Sequence, residues 1–200
     1  PVPASPVDRQ NELTRNYRGK FITFALGRFT EYKGFDHLIK AATYLPDDHL
    51  VLIGGDGYLR KRFEEIIETN RLTDKVILLG RIPDSEVVDY YSLCDVFCLP
   101  SVSRNEAFGI VMLEAMSLGK AVIATNIPGS GTSWVNTDKV TGINVEPRSP
   151  QALANAIKLI SDNPSVRDVY ARAAKERFDH RFSVDSMIES TIDVYRTNCG

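Results

Sequence analysis

The sequence predicts an α/β fold: a doubly wound parallel sheet of about six strands, helices on both of its faces, and an all-helical C-terminus. Three observations carry this reading. From Phe21 to Val145, short apolar runs alternate with longer segments of helical spacing. The short runs hold Val, Ile, Leu and Phe at successive positions, as strands covered on both sides require. Each run ends in a loop marked by Gly or Pro, and open sheets of this kind bind ligands at the carboxyl ends of their strands.

Residues 1–18 (PVPASPVDRQNELTRNYR) are polar and hold three prolines, so they read as a linker or lead-in, with the folded domain over residues 19–198. Strands are expected at residues 21–26, 50–53, 76–79, 96–99, 121–124 and 142–145. Helices are expected between them. Residues 35–45 carry Phe35, Leu38, Ile39 and Ala42 on one helical face, and residues 59–69 carry Phe63, Ile66 and Ile67. Residues 84–92 follow Pro83, and residues 109–118 and 150–161 complete the alternation. Right-handed crossovers then place the helices on the two faces. Beyond Pro164 the pattern is helical only, over residues 166–178 and 184–198.

A chain of 200 residues fits one domain and can bury a sizeable core. The net charge of −2 gives no bulk attraction to nucleic acid or to an anionic membrane surface, so any anion must be held by a local cluster. Three cysteines, Cys94, Cys98 and Cys199, are too sparse for a disulfide framework and fit a reducing compartment. Cys94 and Cys98 read as small buried apolar side chains beside a strand. No apolar run is long enough to span a bilayer, and the opening Pro1-Val2-Pro3 has neither Met nor a signal-peptide pattern. The chain therefore reads as a piece of a longer protein.

In FALGRFTEYKGFDHL, Gly27 ends the first strand, and Arg28 and Lys33 flank a loop closed by Gly34. Two permanent cations at a strand's carboxyl end suit a pyrophosphate, Arg as a planar fork and Lys as a point charge. Taken alone, they fit equally as solvated cations at a helix start. Gly54-Gly55-Asp56-Gly57 follows the second strand and opens a helix, and its glycines permit close approach of a ligand. It lacks the full G-x-G-x-x-G, because Leu59 and Arg60 fill the tail, and no Gly-Lys-Ser/Thr follows. A tight turn needing positive φ explains it as well.

The stretch SVSRNEAFGIVMLEAMSLGK places Glu106 in a loop, Phe108-Gly109 at a helix start, and Glu114 within that helix among Val111, Met112, Leu113, Ala115 and Met116. A carboxylate in so apolar a helix needs partners, and sugar or ribose hydroxyls are good donors to it. The free N–H groups near Gly109 and Ile110 suit a phosphate. On continuous helix the two acids stand about 12 Å apart, beyond the roughly 5–9.5 Å of a hydrolase carboxyl pair. They look like two contacts on one elongated ligand. Singly, Glu114 also fits a structural salt bridge and Glu106 an exposed loop acid. His37, His49 and His180 are scattered and no D-x-D or H-E-x-x-H pattern occurs, so no metal or other cofactor is expected. Gly129-Ser130-Gly131 lacks the G-x-S-x-G frame of a nucleophile turn.

In this order and spacing, these residues resemble the C-terminal, donor-binding domain of retaining GT-B-fold glycosyltransferases. That large family includes glycogen synthases and many bacterial polysaccharide and O-antigen mannosyltransferases. The resemblance covers about residues 19–198. It is carried by Gly27-Arg28-Phe29 through Lys33-Gly34, by Gly55-Asp56-Gly57, by Glu106-Ala107-Phe108-Gly109 with Glu114-Ala115 in E-x₇-E spacing, and by Gly119-Lys120-Ala121-Val122 leading to Ile127-Pro128-Gly129.

The resemblance implies a Rossmann-like domain, half of a GT-B enzyme. Such an enzyme transfers a hexosyl group from a GDP-, UDP- or ADP-linked sugar to a saccharide or lipid-linked acceptor in surface polysaccharide synthesis. Arg28 and Lys33 would hold the leaving diphosphate, beside Gly27 and Gly55, and would replace a metal. Glu106 would contact the donor sugar next to the backbone of Ala107, Phe108 and Gly109. Ile110 and Val111 would offer N–H groups, Glu114 would bind the ribose, and the backbone at Arg81 and Ile82 would meet the base. The acceptor site would belong largely to an N-terminal domain outside this chain, toward which the helix over residues 184–198 crosses in the family. This chain alone would then bind donor without transferring it. The protein would be cytoplasmic and peripheral at the inner face of the membrane.

Residues 126–134 lack the acid of the family's usual Gly-Gly-x-Pro-Glu loop and resemble the loop of O-antigen enzymes, many of them mannosyltransferases. Trp134 in that loop fits a core, interface or sugar-contact role alike. The alternatives are another GT-B-fold enzyme, such as a nucleotide-sugar epimerase or a phosphorylase, and a non-catalytic nucleotide-sugar-binding module. Intact Arg28, Lys33, Glu106 and Glu114 speak against the last. The incomplete glycine pattern speaks against an NAD enzyme.

Overall fold

A helix opens the described residues, where a lead-in was expected. The computed structural model describes residues 6–198, and α1 spans Pro6–Asn16. Of its described side chains Gln10 and Leu13 are half-buried, with Tyr17 one turn further on; one apolar contact within the helix gives no apolar period to read. Six parallel strands follow: β1 (Phe21–Leu26), β2 (His49–Gly54), β3 (Val76–Gly80), β4 (Val96–Leu99), β5 (Ala121–Thr125) and β6 (Gly142–Val145). Between and after them lie α2 (Phe35–Ala41), α3 (Arg60–Thr69), α4 (Asp84–Leu93), α5 (Ile110–Ser117), α6 (Thr132–Val135), α7 (Pro150–Asp162), α8 (Pro164–Arg181) and α9 (Val184–Asn198). Helix α2 ends sooner than expected, because residues 42–44 tighten into a 3-10 turn. The four-residue α6 is too short to show a period and was not expected.

The strands lie in the order β3-β2-β1-β4-β5-β6. The sheet therefore reverses direction between β1 and β4, which opens a crevice at their carboxyl ends. Alternate strand residues feed two cores. Val51, Ile53, Val96 and Ile123 pack with Phe35, Phe63 and Ile157 on the α2–α3–α7 face. Phe24, Leu52, Phe97 and Val122 pack with Tyr91, Met112 and Met116 on the α4–α5 face. Helix α1 lies against α4, and Tyr17 joins this second core.

Cys94 and Cys98 are buried, as expected of small apolar side chains. Burial pushes the Cys94 thiol up to about 12 and raises Cys98 as well, so neither is a nucleophile near neutral pH. Cys199 and residues 1–5 of the expected lead-in lie outside the described residues. At the far end, α9 exposes Met187, Ile188, Ile192 and Tyr195, so this apolar face does not dock on its own domain. Among the described residues, no helix is long and apolar enough to cross a membrane.

Gly55, taken above as a place of ligand approach, is first a place where two backbones meet. Its φ is +124°, and a Cβ there would stand 1.8 Å from the carbonyl oxygen of Gly27. Gly55→Ala is expected to cost about 2–3 kcal/mol of stability, from positive φ plus a backbone shift. Urea unfolding checks this; an unchanged midpoint contradicts the close approach of the β1 and β2 loops.

Candidate active site

The loops after β1 and β4 join at the switch point, where the Val102 N–H donates to the Tyr32 carbonyl at 2.7 Å. Lys33 ends a short 3-10 turn over Glu31–Lys33. Its Nζ lies 2.6 Å from Glu106 Oε2, with the two side chains only 10% and 9% exposed. The stem of Lys33 runs over Gly27, where a Cβ would come within 3.1 Å of Lys33 Cε. Gly27 thus gives room to the lysine. Ser101 Oγ, fully buried, donates to the same Oε2 at 2.9 Å. Oε1 of Glu106 takes no partner among the described residues and is free to accept from a ligand hydroxyl.

The variant loop between β5 and α6 holds Glu106 from behind. Ser130 Oγ donates to the Glu106 carbonyl, and the Gly131 N–H donates to the Ala107 carbonyl at 2.8 Å. The loop thus uses Ser and Gly to clasp the backbone that carries the acid. Trp134, at its end, packs against Phe108 and Phe182 with centroids 5.8 and 5.1 Å away. Arg177 stacks over Trp134 and donates to its carbonyl, which ties α6 to α8.

Arg28 differs from Lys33. It is exposed and makes no ion pair or side-chain hydrogen bond with the described residues. One cation is buried and paired; the other is free to move onto a ligand. Lys33 still has three N–H donors, of which Glu106 takes one.

Helix α5 begins at Gly109, with φ +80° and no side-chain cap. A Cβ at Gly109 would lie 2.7 Å from Met112 Cε and 2.8 Å from Leu99 Cδ2, so only glycine lets the helix start this close to the sheet. The first-turn N–H groups of Ile110 and Val111 are left for a ligand. Glu114 is exposed although its helix is apolar. Met112, Ala115 and Met116 turn to the core and leave Glu114 exposed on the opposite side. Its protein partner is buried Tyr91 of α4, whose hydroxyl donates to Oε2 at 2.7 Å and lies 3.1 Å from the Val111 carbonyl. Burial, then the Glu114 carboxylate, raises the Tyr91 pKa, so the phenol stays a donor.

Glu114 and Tyr91 line a groove of 390 Å³ between α4 and α5, walled by Leu26, Val87, Val111 and Leu118. Arg81 and Ile82 lie between β3 and α4; Arg81 is exposed, whereas the Ile82 side chain is core and leaves only its backbone to a ligand. The sequence reading named the acids and cations and missed Tyr91, Ser101 and Ser130. Tyr91 sits in an ordinary helical run, and its phenol was the one signal of a buried polar contact.

Residues 8–177 match the family described as glycosyl transferases group 1. The chain belongs to that family. It is 33% identical over 174 residues to the O-antigen chain mannosyltransferase C of Escherichia coli, covering 86% of this chain and 45% of the relative. To the glycogen synthase of Mycobacterium tuberculosis it is 28% identical over 173 residues, 85% of this chain and 41% of the relative. Both kinds of enzyme were expected from the motifs. The fold superposes on HepE of Anabaena, crystallised in complex with UDP, with a TM-score of 0.86 at 24% identity, over 97% of this chain and 54% of that one. The chain is thus a GT-B-type α/β domain that spans about half the length of the relatives it matches.

Proposed function

We propose that this chain is the donor-binding half of a retaining glycosyltransferase. In this reading the full-length protein moves a hexosyl group from a nucleoside-diphosphate sugar to a saccharide or lipid-linked acceptor. One observation carries it: the buried Lys33–Glu106 pair and the Glu114 groove lie at either end of one loop–helix unit, joined by the uncapped start of α5. A ligand with a ribose, a diphosphate and a sugar has its groups in that sequence.

Glu114 accepts hydrogen bonds from the ribose hydroxyls, with Tyr91 holding the carboxylate in place. The α5 N–H groups, Arg28 and the spare donors of Lys33 take the diphosphate. Glu106 accepts from a hydroxyl of the donor sugar. As the glycosyl–phosphate bond breaks, its electron pair passes to the phosphate oxygen, and the two cations stabilise that growing charge. The acceptor oxygen bonds to the anomeric carbon on the face the diphosphate leaves and gives its proton to the departing phosphate. Configuration is retained with no covalent enzyme intermediate. Arg28 and Lys33 supply the charge a metal would supply, so transfer is metal-independent. Similarity to an O-antigen mannosyltransferase supports mannose as the sugar. The acceptor is held largely by the N-terminal half, and the protein works at the inner face of the membrane.

Titration calorimetry of the 200-residue chain with GDP, UDP, ADP and NAD tests this. One nucleoside diphosphate is expected to bind, with or without EDTA. Glu114→Ala is expected to weaken it about tenfold or more, the effect of losing hydrogen bonds to a charged group. Binding of NAD alone, or of none of the diphosphates, sinks the reading.

A further inference from the structure

A second cavity, of 540 Å³, opens above α2 and α3. None of its walls belongs to the groove between α4 and α5. It adjoins the Lys33–Glu106 pair through their chain neighbours Tyr32 and Asn105. Its charges cancel: Glu31 and Asp36 stand against Arg62 and Arg148. Arg62 lies 3.6 Å from Glu31, and Asp36 lies 3.8 Å from Lys40. Burial lowers the pKa of His37, which outweighs the pull of Asp36, so this ring adds no charge at neutral pH. The four lining charges sum to zero, so the lining by itself has no net attraction for an anion.

It does present hydrogen-bonding groups of both senses around an aromatic wall. Tyr58 is 71% exposed, and its hydroxyl accepts from the Glu31 N–H at 3.4 Å, which orients the ring. The electron-rich ring face suits the weakly positive C–H face of a pyranose, and the Glu31 and Asp36 carboxylates and the Arg62 and Arg148 guanidinium groups suit its hydroxyls. We propose that this cavity is a binding site for a neutral saccharide. Its place beside Glu106 makes that saccharide the chain bearing the accepting hydroxyl; this role, unlike the binding, rests on the glycosyl-transfer reading.

Saturation-transfer NMR of the 200-residue chain with α-mannotriose and maltotriose, with inorganic phosphate added as a competitor, tests the site. At least one trisaccharide is expected to bind saturably, with no displacement by UDP or GDP. Tyr58→Ala is expected to weaken it about tenfold, and Tyr58→Phe to keep most of the affinity. The exposed position lets both variants fold, and unchanged nucleotide binding confirms it. Four results overturn the proposal: no saturable trisaccharide binding, indifference to Tyr58→Ala, tighter binding of phosphate than of either sugar, or displacement by a nucleoside diphosphate. Failure to bind any nucleotide bears on the transfer reading alone and leaves a positive saccharide result standing.

Discussion

Lys33→Met lowers the unfolding free energy by about 3–5 kcal/mol, because it leaves the Glu106 carboxylate buried with no opposite charge. The pair is nine-tenths buried, so water does not replace the lost partner. Ser101 remains, and one neutral donor does not offset the desolvation of a carboxylate. Glu106→Gln alone is costly for the reciprocal reason, an ammonium left among neutral groups. The double variant Lys33→Met/Glu106→Gln recovers most of the loss, since Ser101 can still donate to the amide oxygen and no charge is left unpaired. A buried ion pair and its neutral replacement differ little in net stability. Urea unfolding of the three variants measures this as non-additivity of about 2 kcal/mol or more. Strict additivity, or a Lys33→Met cost under about 0.5 kcal/mol, contradicts a buried pair.

Arg28→Ala behaves in the opposite way. Arg28 is exposed and unpaired among the described residues, so the variant melts with the parent. Its affinity for the nucleoside diphosphate falls about 10- to 100-fold, the loss of one or two charge-assisted hydrogen bonds. Turnover of the full-length protein falls further, about 10²- to 10³-fold, because the leaving phosphate gains charge only as the bond breaks. Arg28→Lys recovers part of each loss, as a point charge without the planar fork. Diphosphate binding that is indifferent to Arg28→Ala removes this residue from the site. The two cations, equivalent in the sequence, are thus separable by experiment: one reads out in stability and the other in binding.

How far the site was legible follows from how local each feature is. Gly109 announced a helix start, and a helix start so close to the sheet demands glycine there. Glu106 and Glu114 were legible as acids in unusual company. For Glu114 that company pointed to a need for partners and left its exposure open. A helix sends successive side chains in different directions, and Met112, Ala115 and Met116 took the core while Glu114 kept the open face. Gly55 was legible as a special backbone position, but its need came from the Gly27 carbonyl across the sheet.

The strands and most helices could be read from the chain because burial on two faces, or on one helical stripe, leaves a mark at every position of the element. Helix α1 could not, since among its described side chains Leu13 is the one half-buried apolar residue, with Tyr17 just beyond. The chemistry-bearing residue types were local too: cations after the first strand, acids around the start of α5. What pairs with what was not. Lys33 meets Glu106 across 73 residues, and Tyr91 meets Glu114 across 23. Those meetings exist because the strand order places β1 beside β4, a choice made by the packing of the whole sheet and written in no single segment.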